Sequence, residues 1–145
     1  MNQSDTRVGA FRVLAGQDLT GMEGRLVFLT HDNGVPEVKL PVADSDLALY
    51  LLTEEGADGE LVTVVPLTAG QNYRVALKGA CNPGASLVLA DVAAAADAGK
   101  LRALPAGAGT YRVLAVAEEK GVDGQALLVR PAMAGLITVP AAPGA

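Results

Sequence analysis

The chain has no tryptophan, and aromatic side chains make up only 3% of it, two Phe and three Tyr. That is too little for the stacking surfaces used on bases and sugars, or for a large aromatic hot spot. Cys81 is the one cysteine, so no intrachain disulfide forms, which fits a reducing compartment. Histidine is represented by His31 alone, and a lone imidazole with no ligand pattern around it is not a zinc motif. No stretch approaches the roughly 18–20 uninterrupted apolar residues that span a bilayer. The opening residues, MNQSDTRVGAFRVLAG, lack the basic-then-apolar order of a secretory signal. The expectation is a protein made and kept in a cytoplasm, with no membrane partner. Positive charge is also scarce, with 11 bases against 16 acids and a net charge of −5. The bases, from Arg7 to Arg130, are scattered and form no stripe, so nucleic acid is not an expected partner.

What is present is a large share of small apolar residues. Half of the 145 residues are apolar, chiefly Ala, Val and Leu, set among 17 glycines. That is enough for one domain with a core of its own. Short apolar runs alternate with glycine-bearing turns, most regularly from Tyr73 to Val129, which is the rhythm of an all-β sandwich or barrel. Residues 1–10 read as a flexible N-terminal arm, 11–140 as a single β domain and 141–145 as a C-terminal tail.

Phe11–Leu14 is the first strand. Arg25–Thr30 and Pro36–Leu40 read as a hairpin closed by Asn33-Gly34, since both turn positions tolerate positive φ. Pro36 and Pro41 place its second arm at a sheet edge, because proline cannot donate to a ladder. Leu47–Thr53 and Leu61–Pro66 form a second hairpin through Asp58-Gly59. Tyr73–Leu77 and Leu87–Ala90 follow, with Pro83-Gly84 suited to a type II turn between them. Residues 91–98, DVAAAADA, favour one or two turns of helix, with Asp91 as N-cap and Gly99 at C′; a loop is the alternative. Lys100–Leu104, Tyr111–Ala117, Ala126–Arg130 and Leu136–Val139 complete the set, with Asp123-Gly124 as a third hairpin turn. The total is about ten short strands and at most one short helix.

Two internal echoes occur. Leu52 to Val62, LTEEGADGELV, resembles Ala117 to Leu127, AEEKGVDGQAL; Gly70 to Val75, GQNYRV, resembles Gly107 to Val113, GAGTYRV. Turn chemistry alone produces such likenesses, so they argue only weakly for duplication, and no solenoid period emerges.

Several strands are apolar on both faces, against the alternation of a sheet with one wet side. Leu26–Leu29, Leu47–Leu52 and Tyr111–Ala117 all behave this way. A helix, a loop or another chain must cover the second faces, unless the strands curl into one barrel. Covering a Leu–Val face is worth several kcal/mol at roughly 25 cal/mol per Å². Self-association, with a homodimer favoured over a trimer, is the expectation.

No reaction centre is legible. Ser4, Ser45 and Ser86 lie outside any G-x-S-x-G elbow. Glu54 with Glu55 and Glu118 with Glu119 flank turn glycines, and Asp44 with Asp46 brackets Ser45; solvated charge is the ordinary reading of all three pairs. Glu54–Glu60, EEGADGE, is oxygen-rich but lacks the EF-hand order. Gly99-Lys100 is followed by Leu101, so it is no P-loop. Cys81 has no adjoining cation and reads as a small buried hydrophobe. The expectation is therefore no catalytic, metal or cofactor residue and no enzyme. A hydrolase built on His31 and a carboxylate, and an adhesin-type binding module, are the rival readings.

Gly79-Ala80, Pro83-Gly84 leading to Leu87, Asp91, and Gly99-Lys100 resemble the central signature of the small capsid cement proteins of tailed bacteriophages. These are also called decoration or head-stabilising proteins. Leu19-Thr20-Gly21 with Gly24-Arg25-Leu26-Val27 is similar to the family's opening. Val116-Ala117-Glu118, Asp123-Gly124 and Leu127–Val129 are similar to its closing hairpin. The likeness runs from Val13 to Val139; the alanine-rich join at residues 92–98 departs from it. The resemblance implies a jelly-roll or barrel-like β fold on the outer surface of an icosahedral head, bridging neighbouring major capsid proteins. It carries no catalytic residue to transfer.

Overall fold

A computed structural model describes residues 9–143, so most of the expected arm and the end of the tail lie outside the described residues. The described residues form ten strands and one 3-10 turn. Strands β1 (Phe11–Ala15), β2 (Leu26–Asp32), β3 (Val35–Lys39), β4 (Tyr50–Glu54) and β5 (Leu61–Pro66) close into a barrel in the order β1-β3-β2-β4-β5. Strands β6 (Tyr73–Ala76), β7 (Ser86–Leu89), β8 (Leu101–Ala103), β9 (Gly109–Ala117) and β10 (Ala126–Val139) form a second sheet in the order β6-β10-β9-β7-β8. The all-β reading holds.

The three hairpins form where the turn residues place them. Asp32 faces Val35 across Asn33 (φ +48°) and Gly34 (φ +83°), the mirror-image turn that suits strand twist. The expected edge position of Pro36 is overturned, because β3 runs between β2 and β1 and closes the barrel. Proline is tolerated there because the pairing with β1 begins only at Glu37. Residues 47–49 are not strand, and Ala126–Arg130 and Leu136–Val139 are one strand of 14 residues, bulged between Pro131 and Gly135. The alanine-rich segment makes only a 3-10 turn at Ala95–Asp97. Asp91 Oδ1 accepts the Ala93 N–H (3.0 Å), a local bond that competes with helix in a segment too short to propagate one.

The second sheet repeats the first strand for strand. Phe11, Val13 and Leu14 oppose Val64, Val62 and Leu61, as Tyr73, Val75 and Ala76 oppose Val129, Leu127 and Ala126. Tyr50, Leu51 and Leu52 oppose Pro66, Val65 and Val64, as Ala115, Val116 and Ala117 oppose Pro131, Arg130 and Val129. The Gly16 N–H donates to Val38 C=O (2.9 Å) where β1 meets β3, and the Lys78 N–H donates to Leu101 C=O (2.8 Å) at the same place in the copy. There a single parallel bridge, Leu77 to Leu101, stands for the β1–β3 pairing.

One glycine turn seals both halves. Gly24, Gly59, Gly84 and Gly124 have φ between +81° and +85°, a region L side chains avoid. Their N–H groups donate to Leu52, Ala15, Ala117 and Leu77 C=O respectively, at 2.8–2.9 Å. The residue after each glycine accepts the N–H of the same partner, at 2.8–3.0 Å. The echo at residues 52–62 and 117–127 thus marks equivalent positions. The echo at residues 70–75 and 107–113 does not, because Tyr73 lies on β6 and Tyr111 on β9.

This doubling accounts for the strands with two apolar faces. Val27 and Leu52 point into the first barrel with Val13, Val38, Val62 and Val64. Their neighbours Leu26 and Leu51 enter the core of the second sheet, beside Leu87, Leu114 and Leu127. The two halves are stitched along this seam by Leu26 N–H to Gly99 C=O (2.8 Å) and Ala76 N–H to Gly24 C=O (2.7 Å). A Cβ on Gly99 would sit 2.5 Å from Leu26 O, so the seam needs glycine there. Much of what read as uncovered sheet is thus covered from within the chain; Leu29 and Leu47 stay exposed.

Candidate docking surface

The residues with chemical potential are dispersed. His31 sits in the first hairpin, its Nδ1 accepting the Gly34 N–H (3.0 Å). Ser45 lies in the loop after β3 and Ser86 opens β7 in the other sheet, while Ser4 is outside the described residues. Cys81 is buried, and its backbone pairs both ways with Gly121 (3.2 and 2.9 Å). No group of three His, Cys, Asp or Glu side chains gathers around a possible ion among the described residues.

The carboxylate pairs act as staples. Asp46 Oδ2 accepts the N–H groups of Val42 and Ala43 (2.8 and 3.1 Å), shaping the loop before β4. Glu54 accepts Thr63 Oγ1–H (2.8 Å), Glu55 accepts the Gly21 N–H, and Glu118 meets Arg130 (3.1 Å). Glu119 Oε1 accepts from Leu128 N–H (3.0 Å), Arg74 (2.6 Å) and Gln125 (3.2 Å). The Leu128 amide, then Arg74, hold its carboxyl below the usual range. Asp97 is lowered likewise by Lys100 (3.0 Å), with Lys78 adding to it, and Asp18 by Thr20.

One element has no counterpart in the first barrel. Tyr50 opens β4 and Pro66 ends β5, yet their equivalents Ala115 and Pro131 lie well inside β9 and β10. The surplus forms a two-stranded ribbon, with Gly109–Val113 paired to Gly135–Val139. It runs past the pairings with β6 and β7, which engage β10 only at Ala126–Val129 and β9 at Ala115–Val116. Among the described residues, both outer edges of the ribbon therefore carry strand backbone without a ladder partner.

Arg112 is the notable side chain on this ribbon. Its cross-strand partner is Leu136, 63% exposed, and alternation places Thr110 and Leu114 on the same face. Thr110 and Thr138 hydroxyls approach to 3.3 Å beside it. Among the described residues, Arg112 makes no side-chain hydrogen bond or ion pair, and its Nε is cut off from solvent with no partner. Leaving such a donor unmet costs about 1–3 kcal/mol, more when charged. Arg112 lines a cleft of about 90 Å³ with Leu47, Leu49, Leu114, Met133 and Gly135. It also borders a wider depression with Asp44, Ser45, Thr110 and Leu136. On the ribbon's other face Arg102 lies over the Tyr111 ring at 5.9 Å. In the sequence Arg112 is one of the scattered bases, with no motif around it to mark it as a site. Its one signal was a lone charge inside the apolar run Tyr111–Ala117.

No family model matches the chain, and no curated protein matches it. Among solved structures it matches the N base of the head fiber protein gp8.5 of bacteriophage phi29. The TM-score is 0.64 at 17% identity, over 88% of this chain and 97% of that one. The two share a fold.

Proposed function

We propose that this chain is a structural component of a bacteriophage virion, seated on the outer surface of the icosahedral head. It binds the major capsid protein there and stabilises contacts between neighbouring copies, as a cement or decoration protein does. The observation that carries this reading is the fold likeness to a phage head fiber base, which spans nearly the whole of both chains. The resemblance to cement proteins in the turn glycines and short strands supports the same placement. The chain is made in the host cytoplasm and added to the head from outside. Affinity per contact can be modest, because many copies act on a repeating lattice. Homodimer formation, or a trimer, belongs to the proposal, with Leu29, Val35 and Leu61 as exposed apolar side chains of the first barrel open to a second copy.

The test is co-sedimentation with expanded heads that lack the protein, followed by heating. Saturable binding at a fixed ratio to capsid subunits, with head disruption moved to higher temperature, is expected. Absence of binding to heads of the encoding phage overturns the reading. A second reading, favoured by what the phi29 neighbour is, makes the chain the base of a head appendage. In that case particles without it lose surface projections while disrupting at an unchanged temperature.

A further inference from the structure

We propose that the Arg112 cleft is the site that grips the partner protein, and that it takes an extended segment bearing one carboxylate between apolar side chains. The proposal rests on the head-bound reading for the partner's identity, though not for the chemistry of the site. Three observations converge on it. The ribbon is surplus to the repeated barrel, so the duplicated fold does not require it. Among the described residues it leaves strand edges without a ladder partner at Gly109–Val113 and Gly135–Val139, where a third strand would add main-chain hydrogen bonds. And Arg112, with an enclosed and unpartnered Nε, stands among Leu47, Leu114, Met133 and Leu136.

With Nε enclosed, the two terminal Nη groups of the guanidinium are the donors that face the cleft, and as a pair they recognise a carboxylate. Leu136 and Met133, 63% and 52% exposed, supply apolar contact on either side of that charge. Asp44 borders the same depression without reaching ion-pairing distance, and its charge disfavours ligands carrying several negative groups. A single carboxylate on a strand fits better than a phosphate or a polyanion.

The experiment uses the full chain and two probes. The first is the peptide Ac-SLTETLS-NH2, whose Leu, Glu and Leu share one strand face, titrated against the labelled protein by NMR. Shifts confined to the ribbon and the loop around Ser45 are expected. They should weaken at least tenfold with the Glu-to-Gln peptide and disappear with R112Q. The second probe is the expanded head. Binding should fall at least tenfold for R112E and for L136E, while K120E, in an exposed turn, binds as the parent does. L136E alters an exposed side chain, which guards against a folding defect in R112E. Absence of peptide shifts, or heads that bind R112E normally, overturns the site and leaves the head-bound reading standing. Peptide binding without head binding overturns that reading and leaves the site. A parent dimer that dissolves in R112E by sedimentation analysis puts a second copy in the cleft and overturns the proposal.

Discussion

At the scale of single residues, one phenol and a few glycines carry disproportionate weight. Tyr73 is 7% exposed, and its hydroxyl donates to Pro66 C=O (2.9 Å) while accepting from Thr68 N–H (3.1 Å) and Gln71 Nε2 (2.7 Å). It pins the crossing from β5 to β6 where one half hands over to the other. Tyr73→Phe should cost about 1–2 kcal/mol in a urea melt, because the groups it served lose their partner. Gly121 is required for space, since an added Cβ would overlap Leu77 Cδ2 and lie 2.9 Å from Cys81 Sγ. Gly121→Ala should cost about 1–3 kcal/mol, as overpacking does. Gly70 meets nothing within 4 Å and has no positive φ, so Gly70→Ala should be neutral or slightly stabilising in the same melt. Glu119, Asp97 and Asp18 all have lowered carboxyl pKa values. Their contribution is present above the ordinary carboxylate range near pH 4 and is lost as pH falls through the lowered values. Glu119→Gln should therefore flatten the acid side of the stability–pH curve and leave its shape above pH 6 unchanged.

At the scale of elements, the hairpins were legible and their doubling was not. Asn33-Gly34, Asp58-Gly59 and Asp123-Gly124 announce turns because positive φ has a residue signature. Which strands pair beyond a hairpin has no such signature, so the β1–β3 closure was invisible and Pro36 was misplaced at an edge. The repeat was half visible. Phe11-Arg12-Val13 and Tyr73-Arg74-Val75 are true counterparts, yet Tyr73 was matched instead to Tyr111. The ion pair survives in both copies, Arg12 with Glu54 (4.0 Å) and Arg74 with Glu119 (2.6 Å). Arg112 went unread because an unmet partner is a property of packing, and residue order does not carry it. As an element the ribbon has only two strands, a marginal arrangement in water. Amides at residues 109–113 and 135–139 should exchange hydrogen faster than those of Leu127 and Val129, which pair with β6 and are buried in the shared core.

At the scale of the whole molecule, the shared core joins the two halves into one folding unit. Leu26, Ala48, Leu51 and Leu67, all outside the second sheet, are buried against its side chains. Leu51→Ala should cost about 2–5 kcal/mol and lower hydrogen-exchange protection in both halves together. A loss confined to the first barrel would show that the halves open independently.

Strand β10 runs through all of this, 14 residues long, with β6 on one side of its first part and β9 along most of its length. Mechanical load has a specific consequence here. A pull at Val139 along the strand axis acts across its ladder bonds in shear, so the bonds of one stretch must yield together. A pull that parts Gly109 from Val139 opens the same ladder from its free end, pair by pair. The molecule is therefore stiff to tension along β10 and yielding to a peel of the ribbon, so its resistance depends on the direction of the force.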